Sequence, residues 1–318
     1  MALPTVSDVH INAPLTDLSV ASFQDASNFI ANRVFPAVPV AKQSNHYYMW
    51  DKNNFHIDSM RKRAPGTESA GGGMELSSDT YFCDKWALHK DIDDDTRANE
   101  DAAVGLENAT TKYLTQQALI NVEVNWASAF FGTGIWATDV TGGSSFTQWD
   151  NSNSDPETDV MTGKRTILQN GLQEANTLVV SYAVHQALKK HPLVKDRIKY
   201  TSAGSVTEDT LAAFFEVDRY MVSKAHYATN AESAATDVYA PTHGKHALLC
   251  YTPMSPGLMV PAAGYTFMWT GLKGLSTGLV MKKFRMENIE SDRLEIQLAY
   301  DQKVVSADLG YFFASAVA

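Results

Sequence analysis

The pentapeptide GLSTG at 274–278 has the G-x-S-x-G spacing of a nucleophile elbow, which would make Ser276 an acyl-transfer nucleophile. That chemistry needs an acid and then a histidine later in the chain, to hold and take the hydroxyl proton. The last histidine is His246, before the serine, and LVMKKFRM after Gly278 is strand-like where a helix is required. A glycine-rich loop between strands is the better reading. DIDDD at 91–95 gathers carboxylates as a calcium loop does. An EF-hand would need glycine and glutamate where Thr96 and Ala102 stand, so the run reads as an acidic helix start, with a weak surface cation site as the residue of the idea. THGKH at 242–246 spaces His243 and His246 three apart without HExxH or a third ligand, which suggests solvent-exposed loop histidines. AGGG at 70–73 lacks the lysine and the following helix of a phosphate loop. Cys83 and Cys250 fit no disulfide or zinc spacing. No complete set of catalytic, cofactor-binding or metal-ligating residues emerges, and the expectation is a protein without enzyme activity or cofactor.

The elements around these residues are more informative. RKRAPGTESAGGGMELSSD, 61–79, lies between two aromatic-rich segments, HYYMWDKNNFH (46–56) and TYFCDKWALH (80–89). Phe82, Trp86 and Leu88 share one parity, as a strand face requires. The unit reads as two strands with a long polar, glycine-rich connection, marginal alone in water and expected to dock elsewhere. Arg61, Lys62 and Arg63 stand at its tip. Before it, residues 1–45 are broken by Pro4, Pro14, Pro36 and Pro39, with room for a short helix in ASFQDASNFIANRVF. They read as an arm with little core of its own.

Residues 91–132 carry the strongest helical signal. Asp93, Asp94 and Asp95 crowd the start, where the helix dipole favours anions, and Gly132 suits the end. Ala102, Leu106, Ala109, Tyr113, Ile120, Val124, Ala127 and Phe131 form a stripe at spacings of three and four, broken near Gln116 and Gln117. One helix over 93–131 would be about 55–60 Å long. Downstream, Pro156 opens a helix, 176–182 is a short buried strand and 183–192 a helix stopped by Pro192. Ser205 and Glu208 match a capping box, and RYMVSKAHY and KHALLCYTP are strands. Near the end Leu294, Ile296, Leu298 and Tyr300 alternate with Arg293, Glu295, Gln297 and Ala299, which predicts a strand with one buried face.

The chain has 318 residues, enough for a sizeable core. Its net charge of −10 argues against condensing nucleic acid but not against enclosing it. Charged residues make up 19%, below the usual quarter, which fits a surface buried against other chains. The first twenty residues lack the pattern of a signal peptide, and no apolar run reaches the ~18 residues of a membrane span. Synthesis and folding in a reducing cytoplasm are expected.

This order of arm, hairpin, long helix, α/β block and β return resembles the major capsid protein of tailed bacteriophages. NFIANRVFPAVPVAKQSNHYYMWDKNNF is similar to the family's arm running into its extended loop. LHKDIDDDTRANED followed by NVEVNWASAFFG resembles the two ends of its spine helix, and LEIQLAYDQKVVSADLGYFF its late β segments. The resemblance implies an α+β fold: an N-terminal arm (1–45), an extended hairpin loop (46–90), a peripheral domain with the spine helix (91–165 and 280–308) and an α/β axial domain (166–279 and 309–318). It implies a virion shell subunit that assembles as hexamers and pentamers in the host cytoplasm around DNA, without sequence-specific DNA binding and with no membrane. A shell of the same fold that encloses other cargo is the alternative. A separate scaffolding protein is implied because no long helical extension precedes the arm. A portal and, in some relatives, a decoration protein complete the partners. Some relatives cross-link a loop lysine to a distant asparagine; Lys62 matches only by place, and no cross-link is expected. At the tip, the expectation is that Arg61, Lys62 and Arg63 meet a neighbour's Asp91, Asp93, Asp94 and Asp95.

Overall fold

The computed structural model describes residues 24–99, 105–198, 206–231, 236–257, 259–271 and 279–318. The alternation near the end of the chain forms β13 (Ser291–Val304), the backbone of the first sheet. Leu294, Ile296, Leu298 and Tyr300 are all buried, as their period of two requires. β12 (Leu279–Met286) pairs antiparallel along one side of β13. β4 (Asp84–Asp93) pairs antiparallel with residues 291–300, and β11 (Gly264–Trp269) with residues 300–304. β1 (Ala37–Val40) lies parallel to β11 at the sheet's edge, where Pro39 withholds no needed ladder bond.

A second sheet has the order β5 (Thr138–Thr141), β14 (Gly310–Ala314), β10 (Ala247–Cys250), β6 (Thr177–Ser181), β7 (Arg219–Ser223). Every residue of β6, β10 and β14 is buried, which is why these segments read as unbroken apolar runs. The helix Pro156–Gly171 packs on β10 and β14, Tyr182–Lys190 on β6 and β7, and Glu208–Phe214 on β7. Asp155 caps the first of these, with Pro156 in its first turn. Pro192 stops the second and opens a further helix, Pro192–Ile198. The capping box of the third is made by Thr207 and Thr210. The expected Ser205 lies outside the described residues, and Glu208 is already inside the helix.

The two sheets partition the chain differently from the expected domain boundaries. β11, placed with the α/β block by sequence, belongs to the first sheet, and β5 belongs to the second. One hydrophobic core runs through both. At their junction the chain must pass very close to Trp136. A Cβ on Gly310 would fall 2.0 Å from that ring, so only glycine fits there.

The long helix differs from its expectation in length and in phase. Residues 91–93 belong to β4, a short helix spans Asp94–Ala98, and the long helix runs Leu106–Phe130, about 37 Å. Gly105, in left-handed conformation (φ +54°), precedes it, a backbone angle a continuing helix does not allow. Ala102 lies outside the described residues. The buried face is Thr110, Leu114, Ala118, Val122, Glu123, Trp126, Ala127 and Phe130. Of the expected stripe only Ala127 and the terminal Phe131 are buried; Tyr113 is exposed and Val124 half-buried. Apolar or small residues occupy most faces of this helix, so the letters alone left its phase open. It packs on β13: Asn121 accepts from the Tyr300 hydroxyl at 2.6 Å, and Val122 O accepts from Gln302 at 3.3 Å.

The described part of the arm is not bare. Ile30, Ala31, Val34 and Phe35 are buried in the main core, around a short helix Ala31–Val34, and Phe29 is buried beside them in sequence. The Phe35 ring lies 4.6 Å from Phe130 and 5.6 Å from Trp126. The stretch 29–35 therefore contributes core to its own subunit, against the expectation drawn from the prolines.

Candidate intersubunit surface

A hairpin forms, but on other bounds than expected: 52–56 is helical, the second strand lies mostly within the expected connection, and 84–89 leaves the hairpin for β4 of the first sheet. β2 (Ser44–Trp50) and β3 (Leu76–Phe82) pair antiparallel from Ser44–Phe82 out to Trp50–Leu76. Its base is held to the first sheet. Tyr81 stacks on Phe267 at 4.7 Å, Cys83 is buried behind them, and Asp301 accepts from the Phe82 amide at 2.9 Å. Lys303 donates to Thr80 O at 2.7 Å. Burial and the Asp79 carboxylate that accepts from Tyr47 keep the Tyr47 phenol well above its ordinary pKa. At the far end Asp51 caps a short helix, Lys52–His56. Lys52 Nζ reaches back to the body, donating to Asn170 O at 2.8 Å and pairing with Asp308.

Beyond that helix residues 57–75 form neither helix nor strand, and every one is exposed. This stretch is not simply polar: Ile57 is 68% exposed, Met60 88% and Met74 63%. Large apolar side chains concentrated on one excursion mark a surface made to be covered. On the sheet side, Trp86 and Leu88 share a face as expected, opposite Leu298 and Ile296. They sit at its rim, however, and stay exposed, while Phe82, in the preceding strand, is exposed as well.

The tip cations have no carboxylate partner among the described residues. Arg61 donates to the carbonyls of Asp58 and Met60, and Arg63 to Thr67 O, all within the loop. Most of the expected acidic partners are engaged in their own chain. Asp91 accepts a two-pronged bond from Arg293 at 2.7 and 2.8 Å, which lowers its carboxyl pKa. Asp93 caps the helix Asp94–Ala98 through Thr96, which lowers it likewise. Asp94 is gripped by Arg285 at 2.6 and 2.7 Å, again with a lowered pKa. Asp95 is exposed on the first turn, its side chain without a carboxylate-binding partner among the described contacts. The run is an acidic helix start as read, on a shorter helix.

Ser276 lies outside the described residues. The histidines depart from expectation. His243 is buried against Phe131 and Trp126, with Nδ1 2.8 Å from the Thr242 hydroxyl, and burial holds its pKa down to about 3. His246 is half-buried and accepts from the Ser315 amide at 2.9 Å. Both are packing residues, brought inward because β10 begins directly after them.

The sequence reading passed over a buried polar centre beside His243. Glu123 is fully buried on the long helix. Its Oε2 accepts from the amides of Ile30 (3.0 Å) and Ala31 (2.8 Å), and its Oε1 lies 3.3 Å from the Ser223 hydroxyl and 3.7 Å from His243. Burial raises its pKa to about 7 against the lowering effect of those donors. At the other end of the same short helix, Arg219 donates to the carbonyls of Arg33 and Val34 at 3.1 and 3.4 Å. An acidic group on the amides and a cation on the carbonyls is the pairing the helix dipole favours. Glu123 sits within the long helix's apolar stretch, and an interior glutamate there was the available signal.

Among the described residues no three acidic, histidine or cysteine side chains converge as a metal site, and no helix is long and apolar enough to cross a membrane.

No family model matches the chain. The sequence is 25% identical over 317 residues to the major capsid protein of Burkholderia phage BcepMu, covering 96% of each chain. Among solved structures it is similar to a phage-related protein from Bordetella bronchiseptica RB50, with 23% identity, a TM-score of 0.70 and coverage of 92% of this chain and 94% of that one. It also matches the capsid structure of the cyanophage P-SCSP1u, with 12% identity, a TM-score of 0.64 and coverage of 98% and 95%. The fold of phage capsid subunits extends over nearly the whole chain.

Proposed function

We infer that this chain is the major capsid protein of a tailed bacteriophage, a structural subunit that self-assembles into the shell of the virion. The likeness in sequence to a phage major capsid protein, end to end and without a large insertion, carries this reading. The exposed apolar hairpin supports it physically, because a lone subunit leaves Ile57, Met60 and Met74 in water.

The shell is icosahedral, built of hexamers and pentamers, and encloses DNA without reading its sequence. A net charge of −10 keeps the wall from binding DNA tightly. The arm, hairpin, peripheral and axial regions are the working parts, assembled in the host cytoplasm with a scaffolding protein, a portal and, in some shells, a decoration protein. The chain is not an enzyme. Each hairpin contact is weak alone, and its repetition around a closed ring makes the assembly stable. The tip cations Arg61, Lys62 and Arg63 meet a neighbour's acids. Of the acidic run, Asp95 is the member best placed to receive them, since Asp91, Asp93 and Asp94 are already engaged.

The test is electron microscopy of the purified chain, alone and co-expressed with its scaffold, followed by nucleic-acid and protein analysis of the particles. Closed shells of uniform size that admit DNA support the reading. Shells that hold a protein cargo and never DNA would move it to the cargo-enclosing alternative. A monomer under all of these conditions would overturn it.

A further inference from the structure

A cleft of about 930 Å³ opens where the hairpin leaves the body, the size of a pocket for a small molecule. Aromatic side chains line it from both sides: Tyr47, Tyr48, Trp50 and Phe55 on the hairpin excursion, Tyr265 and Phe267 on β11. Tyr48, Trp50 and Phe55 are each more than one-third exposed, and the Trp50 and Phe55 rings meet edge to face at 6.2 Å, so part of each ring stays uncovered. The charged side chains of the described lining are Asp51 and Lys52. Lys52 is already neutralised, since its Nζ pairs with Asp308 and donates to Asn170 O at 2.8 Å. Asp51 accepts from the Asn53 amide at 3.1 Å through Oδ1, as a helix cap, and meets no cation among the described residues. Behind Tyr47 stand Asp79, which accepts from its hydroxyl at 2.9 Å, and Asp301; Lys303 offsets Asp79 at 3.5 Å.

We propose that this cleft binds a small organic cation with an apolar body, an alkyl- or arylammonium, with its charge against Trp50 and Asp51. The inference goes beyond the shell reading and does not depend on it. Two features of the cleft choose the sign of the ligand. Aromatic faces carry the negative side of the ring quadrupole and attract a desolvated cation. Asp51 adds a full charge that nothing in the cleft compensates. A neutral apolar molecule would use the rings and leave Asp51 unused, and an anion would meet repulsion from both. A bare metal ion finds too few oxygen ligands, with one free carboxylate in the lining. An occupant that touches Trp50 on one wall and Leu172 on the other joins hairpin to body beside the Lys52 bridge, and so holds the excursion at one angle.

The test titrates the full chain, as unassembled subunits, with benzyltrimethylammonium, benzyl alcohol and benzoate at one ionic strength. It is run at pH 8, where an ordinary imidazole is neutral and His56 adds no charge to the lining. Calorimetry and tryptophan fluorescence should show one benzyltrimethylammonium per subunit, benzyl alcohol bound about tenfold more weakly, and benzoate unbound. Trp50→Leu keeps apolar contact without the ring and should weaken the ammonium about tenfold. Asp51→Asn keeps the helix cap without the charge. It should weaken the ammonium about fivefold, with benzyl alcohol binding and subunit melting unchanged. Equal affinities for the three probes would make the cleft a general apolar gap and overturn the proposal. Ammonium binding that Asp51→Asn leaves unchanged would place the cation elsewhere and overturn it too, as would no binding at millimolar ammonium. Each outcome reads the same whether or not the chain closes into shells.

Discussion

Replacing Glu123 separates its hydrogen-bonding role from its charge. In Glu123→Ala the amides of Ile30 and Ala31 lose their acceptor in a buried place. Each buried donor left unsatisfied costs about 1–3 kcal/mol, so the variant should lose about 4 kcal/mol in all. Glu123→Gln keeps one carbonyl oxygen for those amides and presents an NH₂ to Ser223 and His243, and should cost less than about 1 kcal/mol at pH 4.5. The pH dependence gives a sharper measure. The Glu123 pKa rises from 4.5 to about 7 on folding, so its contribution to stability is present below 4.5 and lost as pH rises through 7. The His243 pKa falls from 6.5 to about 3, so its contribution is present above 6.5 and lost as pH falls through 3. Between pH 4.5 and 6.5 the two slopes oppose, and the folded pair and the unfolded pair each hold about one proton. Glutamine removes the rising-pH loss and keeps the histidine's slope. Relative to wild type, Glu123→Gln should therefore gain about 3 kcal/mol between pH 4.5 and 7.5, from the 1.36 kcal/mol carried by each pKa unit. Urea unfolding of unassembled subunits at both pH values measures this. A wild-type-like Glu123→Ala, or a glutamine effect that does not change with pH, would refute the account.

Phe35→Ala should cost about 3–5 kcal/mol and expose the segment 24–40 to protease, because the ring is buried against Trp126 and Phe130; an unchanged melting temperature would return this stretch to the status of a loose arm. Gly310→Ala should abolish soluble folding, since the added carbon meets the Trp136 ring at 2.0 Å, and a soluble, normally melting variant would contradict it. Serine at Arg61, Lys62 and Arg63 together should leave subunit melting unchanged and lower the disruption temperature of empty shells at low salt, with the difference shrinking at high salt. Equal disruption temperatures at both salts would remove the tip cations from the intersubunit contact.

What was legible in the sequence was local. The alternation over 293–300 specified β13 and its buried face, because a strand records its surroundings every second residue. Pro156 and Pro192 marked helix boundaries by stereochemistry that neighbours cannot override. A hairpin excursion was visible around its glycine-rich gap, but not its second strand, which is the mostly polar stretch 76–82, since 84–89 pairs with the distant β13 instead. What failed depended on partners far along the chain. The long helix has apolar side chains on several faces, and β13, β4 and the arm decide which face is inside. Thr110 and Glu123 face inward, against any reading of their letters, since Glu123 meets amides 93 and 92 residues away. His243 is a turn residue as read but not an exposed one, because the aromatic wall that buries it comes from Trp126 and Phe131. The acidic run was correctly a helix start, but the arginines holding it stand near residue 290.

The join between the hairpin and the first sheet has a mechanical meaning. β3 passes through Cys83 directly into β4, so a pull on the hairpin enters β4 along its length. β4 is paired with β13 in register from Asp84–Tyr300 to Asp93–Ser291, and ladder bonds run perpendicular to the strands. Tension along β4 therefore loads all those bonds at once, in shear, instead of peeling them one at a time. Beneath the ladder, β13 passes that load to the long helix and the core. A wall strained outward by its contents would pull on each hairpin through its neighbours, and each subunit would meet that pull with its strongest mode of attachment.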